Sequence, residues 1–306
     1  MLPMSLAAEW SSLRDELALA DALYGPRGPA MVQRWFAEQV DRTSDMGFAR
    51  EFADHIDLPG VRPADYLHRR IRCTAGKLLG GIRFYGRDIG RPFVEIVAHD
   101  FADLNALRAC VRREWAMFAP PFLRIRAAPG RVAGAGVLLD ESVFAARYRD
   151  IRAAGTGVWL RRFDRVEDAE LVVARRYERL GVDDPALARN ISPATAAELR
   201  EWHALGQLRA LHTAHGMVGL LAVAPGQIDW IAGDVINEEV VCAAYRGHGF
   251  AAAGQAAWAA EPGRDPGQWL IGTIDRLNTA SRKTAAAAGR RRVLDAFFVS
   301  TDLPAG

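Results

Sequence analysis

Between a β-branched run and an alanine-rich run the chain places Arg246-Gly247-His248-Gly249, within the stretch EEVVCAAYRGHGFAAAGQAAWAA (238–260). A helix start leaves backbone N–H groups unpaired and carries partial positive charge, so a phosphate set there is stabilised by both effects. Gly247 and Gly249 remove the Cβ atoms that would block approach, and Arg246 adds a cation that stays charged. These residue types in this order suit a pyrophosphate. A dinucleotide-binding G-x-G-x-x-G is not met, because the third glycine falls at Gly254, and no G-x-x-x-x-G-K-S/T loop occurs. The stretch does contain R-x-x-G-x-A, formed by Arg246, Gly249 and Ala251 directly after a β-branched strand.

That motif, at that junction, resembles the GNAT superfamily of acyl-CoA-dependent N-acyltransferases, in which Q/R-x-x-G-x-G/A holds the coenzyme A pyrophosphate. A second signature follows the strand LIGTID: Asn278-x-x-Ser281, then Gly289. In the family an Asn, a small residue three later and a closing glycine line the pantetheine and thioester end. The resemblance covers residues from about 156 to 300. It implies acetyl-CoA, or another acyl-CoA, as co-substrate, with no metal. It implies coenzyme contacts from Val240, Val241, Arg246, Gly247, His248, Gly249, Phe250, Ala251, Asn278 and Ser281. It also implies that the strand ending Glu239-Val240-Val241-Cys242 splays from its neighbour, so that free backbone groups pair with pantetheine.

An amine must be neutral to attack a thioester, so a base is needed. Glu238 and Glu239 are the local candidates. Strand alternation sends them to opposite faces, so at most one is expected in the acceptor cleft. Glu239, which shares parity with Asn237 and Val241, is the preferred base; the alternative is that both carboxylates sit in solvent or pair with arginines. The general acid is missing from the pattern. The family's tyrosine, seven residues after the Asn, is Ala285 here, and the aromatic after the closing glycine is Arg290. Tyr245 reads as a packing residue. Cys242 reads as a small strand hydrophobe rather than a nucleophile. His203, His212 and His215 match no metal spacing, and His248 is expected to contribute backbone rather than imidazole.

The elements that must position these groups follow from periodicity. The stretches 6–25 and 30–56 read as helices, and 65–73, 77–86 and 92–101 as an antiparallel meander. A helix over 102–118 and a strand over 121–127 follow. The second part of the chain repeats the order: a strand at 157–163 and a helix over 166–181 closed by Gly181. A helix over 192–206 follows, with Ser192 as N-cap and Gly206 as its stop. Three strands near 207–214, 216–224 and 235–243 lead to the turn, and a strand, a helix and a last strand close the chain. The expected fold class is α/β (α+β): two tandem GNAT-like domains, 1–153 and 154–306, each a mixed, mostly antiparallel sheet flanked by helices. In the first, the position of the turn is HDFADLN, with Asp100 and Asp103 and no glycine. Carboxylates there favour the helix but repel a pyrophosphate. The first domain is therefore expected to be a degenerate copy that walls the acceptor pocket or stabilises the pair.

Length allows two cores in 306 residues, and a formal charge of +2 argues for neither nucleic acid nor membrane as partner. Cys73, Cys110 and Cys242 form no disulfide framework, and no secretory signal is seen. The chain is expected to be cytoplasmic. The reading is an N-acyltransferase acting on a small-molecule primary amine. The alternatives are a catalytically silent acyl-CoA-binding sensor or scaffold, and a protein or peptide N-acetyltransferase.

Overall fold

The structure is a computed structural model that describes residues 7–56, 58–152 and 157–302. The chain begins with helices α1 (Arg14–Tyr24), α2 (Gly28–Asp41) and α3 (Met46–Ala53). The expected single helix over 30–56 is divided because Asp45 starts a new one, its carboxylate accepting from the N–H groups of Gly47 and Phe48. Strands β1 (Arg69–Cys73), β2 (Gly76–Phe84) and β3 (Pro92–His99) follow, then α4 (Leu104–Glu114), β4 (Phe122–Ala127) and β5 (Val137–Arg147). Next come β6 (Trp159–Arg161), α5 (Val166–Asp183), α6 (Pro185–Ala188), α7 (Ala196–Ala204), β7 (Leu208–Thr213), β8 (Gly216–Ile228) and β9 (Ile231–Val241). The chain ends with α8 (Phe250–Ala259), β10 (Trp269–Asp275), α9 (Thr279–Ala287) and β11 (Arg291–Ser300).

Two sequence expectations are corrected at helix ends. Gly181 does not stop α5, which runs on to Asp183. Ser192 does not cap α7; Thr195 does, its hydroxyl accepting from Glu198 N–H while Glu198 accepts from Thr195 N–H. That reciprocal pair is the capping box, and T-x-x-E was present in the sequence to announce it.

The chain forms two compact units, Met1–Glu141 with Leu294–Gly306, and Ser142–Val293. The expected junction at 153/154 lies outside the described residues; the units themselves divide at 141/142 and again at 293/294. In the first unit the strand order is β1-β2-β3-β4-β11, with β1, β2 and β3 antiparallel, β3 and β4 parallel, and β4 and β11 antiparallel. Tyr66, Leu78, Ile82, Leu107, Trp115, Leu123 and Val299 fill its core against α4. In the second unit the order is β5-β10-β9-β8-β7-β6, antiparallel from β6 to β9 and parallel between β9 and β10. Each unit is thus a mixed, mostly antiparallel sheet flanked by helices, as expected. Each also takes its last strand from the opposite part of the sequence, β11 in the first and the Ser142–Arg147 part of β5 in the second.

In the first unit both expected carboxylates are engaged. Asp103 accepts from Asn105 and Ala106 N–H at 3.0 and 3.2 Å and so caps α4, and Asp100 accepts from Lys77 N–H at 2.6 Å. The N–H groups that could face an anion at that helix start already hold a carboxylate.

Candidate functional site

The site lies in the second unit, where β9 and β10 part. They pair only at Asp234 with Leu270 and Val235 with Ile271, although β9 continues to Val241 and β10 to Asp275. On its other edge β9 stays paired with β8 through Val241. A register shift there sets Ala222 opposite Glu238 and Val223 opposite Ile236, leaving Asn237 as an extra residue. This is a β-bulge, which bends a strand and increases its twist. Bulge and lost pairing coincide, and the result is an open notch whose β9 edge has no strand beside it. The expected splay is present.

Two connected hollows fill this region. A cleft of about 220 Å³ lies over the notch and includes Ile236, Asn237, Gly272 and Thr273 in its walls. A groove of about 400 Å³ runs along the turn and the starts of α8 and α9. Arg176, Glu239, Asn278 and Ser281 belong to both, so the groove leads into the cleft.

The groove begins at the turn. Gly247 (φ 83°) and Gly249 (φ 76°) both occupy the left-handed region, and Gly249 is the N-cap of α8. A Cβ on Gly247 would meet no atom within 4 Å, so the fold itself does not require the missing side chain there. Its absence leaves room beside the helix start, where an approaching anion needs it. Arg176, Arg246 and Lys283 line the same groove. Burial and the neighbouring Arg246 charge hold the Arg176 guanidinium below its ordinary value, an electrostatic cost that a bound anion relieves. Arg246 is also 3.7 Å from Asp183. A left-handed glycine pair, a helix start and three cations fit a polyanionic coenzyme.

Most residues expected at the coenzyme are brought together. Val241, Arg246, Gly247, Gly249, Phe250 and Ala251 line the groove, and Asn278 and Ser281 stand where it enters the cleft. Asn278 also caps α9, its Oδ1 accepting from Ser281 N–H at 3.1 Å. Two residues line neither hollow. Val240 is buried with Leu220 and Ala222 in the apolar layer and lines neither hollow. The His248 ring lies 5.5 Å from Phe250, stacked, with Nδ1 2.9 Å from Arg246 O, and also stays out of both.

The carboxylates require a second correction. Both Glu238 and Glu239 line the cleft, against the expectation of one at most. Alternation still sends their side chains to opposite faces, but an unpaired strand edge is open on both. The bulge at Asn237 also breaks the parity that grouped Asn237 with Glu239. Glu238 accepts from Ala194 N–H at 3.0 Å and from the Tyr177 hydroxyl at 3.4 Å. Burial pushes its carboxyl above the usual range, and these hydrogen bonds oppose the shift. Glu239 accepts from Gln255 Nε2 at 2.8 Å. Burial raises its carboxyl too, with Arg290 and then Gln255 pulling the other way.

The remaining candidates fall away from the cleft. His203 Nε2 is 2.8 Å from Phe163 O, and His212 stacks with Trp159 near the sheet edge. Burial raises the Cys242 thiol, which makes it a poorer nucleophile. Tyr245 lies along the groove and packs near Phe250. Ala285 is fully buried against Phe144 and Ile274. Sequence reasoning passed over Tyr177, Gln255 and the placement of Arg290. Only the position of Arg290 after Gly289 was a signal, and it was read as a missing aromatic. Among the described residues no three His, Cys, Asp or Glu side chains gather as they would round a metal ion, and no helix is long and apolar enough to cross a membrane.

No family model matches the chain, and no curated protein sequence matches it. Solved structures do resemble it. An acetyltransferase of the GNAT family from Colwellia psychrerythraea has a TM-score of 0.47 at 9% identity, over 84% of this chain and 97% of that one. A GCN5-related N-acetyltransferase from Sphaerobacter thermophilus has a TM-score of 0.43 at 12% identity, over 88% and 95%. A tandem GNAT protein from the clavulanic acid biosynthesis pathway has a TM-score of 0.38 at 15% identity, over 86% and 98%. These likenesses are weak, and none of them decides what this chain does.

Proposed function

We propose that the second unit transfers an acyl group, acetyl in the simplest case, from a coenzyme A thioester to the primary amine of a small molecule. One observation carries the reading: a groove that starts at a left-handed glycine turn runs into a notch where β9 has lost its strand neighbour. The backbone N–H groups of the turn and the helix start hold the pyrophosphate, with Arg246 and Arg176 supplying charge. The free edge of β9 near Val241 offers hydrogen bonds to the extended arm of the coenzyme. The thioester supplies the activated acyl group.

Glu239 is the base that takes the proton of the attacking amine. Its raised carboxyl brings its affinity for a proton nearer to that needed at neutral pH. Glu238, fixed by Ala194 N–H and Tyr177, orients the acceptor. With Ala285 where the family carries a tyrosine, water supplies the proton to the departing thiol. The first unit holds no coenzyme, since Asp103 occupies the equivalent helix start. The protein is proposed to work in the cytoplasm. Ala285 also favours a second reading, in which acyl-CoA binds without turnover. A peptide or protein amine is the remaining acceptor class.

Calorimetric titration with coenzyme A and acetyl-CoA, followed by an amine screen for thiol release, separates these readings. One site per chain with thiol release supports the transferase. One site without release under any amine supports the silent binder. No binding overturns both.

A further inference from the structure

Arg290 is charged, 4% exposed and a wall of the cleft, yet its Nη1 has no hydrogen-bond partner. Its Nε is held. Nε donates to Gln255 Oε1 at 3.0 Å, Gln255 is fully buried on α8, and its Nε2 donates to Glu239 at 2.8 Å. Gln255 thus stands between the two charges, fixing the guanidinium plane from behind. The free edge of the fork faces Gly272: a Cβ built there would lie 3.0 Å from Nη1. Gly272 is the first β10 residue past the last paired one, Ile271, so the guanidinium sits at the closed end of the notch.

A buried donor left unpaired is costly, and native interiors seldom tolerate one without a use. A guanidinium is also too strongly basic to discharge itself by losing its proton: burial brings Arg290 down only to about 10. Its charge is already met in part by Glu239 across Gln255; what stays open is the Nη1 donor, which a ligand oxygen fills, best an anionic one, since charge-assisted hydrogen bonds are the stronger kind. Pyrophosphate is not that oxygen, because Arg290 borders the cleft and not the groove along the turn.

We propose that Arg290 receives a carboxylate carried into the notch by a ligand, borne either at the far end of the acyl group or on the acceptor amine. This rests on the acyltransferase reading and narrows it to donors or acceptors with an acidic group. A neutral two-carbon acyl group with a neutral amine leaves Nη1 unsatisfied, so such a pair is a poor substrate.

The test compares matched ligands with and without the charge. Succinyl-CoA against butyryl-CoA, by calorimetry, reads the donor source. Amino acids against their carboxamides, by thiol release, read the acceptor source. At least one pair should differ by about tenfold or more in the wild-type protein. Arg290→Met should erase that difference, and Arg290→Lys, which keeps the charge but not the fork, should retain part of it. Thermal melts check that each variant is folded. Should Arg290→Met fail to fold, the wild-type ratios and Arg290→Lys still decide. Coenzyme A binding with no preference in either pair, or a preference unchanged by both variants, overturns this inference and leaves the acyltransferase standing. No coenzyme A binding overturns both.

Discussion

Replacing Gly247 with valine tests the turn most directly, because its effects on folding and on binding can be calculated separately. At φ 83° a side chain is strained by about 1–2 kcal/mol whatever surrounds it. The added Cβ meets no protein atom within 4 Å, so the Cβ itself brings no further steric cost to the fold. Gly263 supplies a matched control, with φ 86° and equally open surroundings but no part in the groove. Both variants should lose about the same stability in denaturant unfolding. Only Gly247→Val puts bulk where the pyrophosphate approaches. Loss of one charge-assisted backbone hydrogen bond, about 1.5–3 kcal/mol, weakens coenzyme A by roughly 10- to 150-fold. Calorimetric titration of both variants reads that difference. Equal coenzyme affinity in the two, at equal loss of stability, would refute the assignment of the turn.

Three other outcomes are expected. Glu239→Gln should lower turnover near neutral pH while leaving coenzyme A affinity nearly unchanged. The wild-type rate should rise with pH through the raised Glu239 value, and a pH–rate profile of the variant should lack that limb. Glu238→Gln tests burial of the other carboxyl. Its folded value is raised above the unfolded one, so its contribution to stability is complete below the unfolded value and is lost as pH rises through the folded value. Denaturant unfolding across pH should show the variant level with wild type in acid and more stable than wild type above that window; a parallel offset at all pH values would contradict it. Thr195→Ala should cost about 1 kcal/mol by removing the cap of α7, whereas Ser192→Ala should leave the unfolding midpoint almost unchanged.

The turn at 246–251 was legible because every signal in it is local. A β-branched run, two glycines and an alanine-rich run restrict φ and ψ over a few residues, and the phosphate argument needs only a strand end and a helix start. The caps at Asp45 and Thr195 were equally local, and the sequence held both motifs even where Ser192 was preferred. The helix and strand periods of both units belong to the same class of information.

What the sequence could not decide depends on residues far apart in it. The bulge at Asn237 exists only through the register of β8 against β9, and with it goes the parity that grouped Asn237 with Glu239. The notch depends on where the pairing of β9 with β10 ends, between residues such as Val235 and Ile271 that are 36 apart along the chain. Arg290 meets Gln255 and Gly272 only because α8, β10 and the start of β11 converge, so a position read as a missing aromatic became a buried cation. The last strand of each sheet was likewise beyond local reading, since a strand's own residues state its period and faces but not which distant edge satisfies its backbone. The sequence by itself determined the elements and the left-handed glycine turn, because short-range backbone sterics and hydrogen bonds set them. Tertiary packing decided the notch, its acids and its arginine, because long-range strand pairing alone sets which side chains share one cleft.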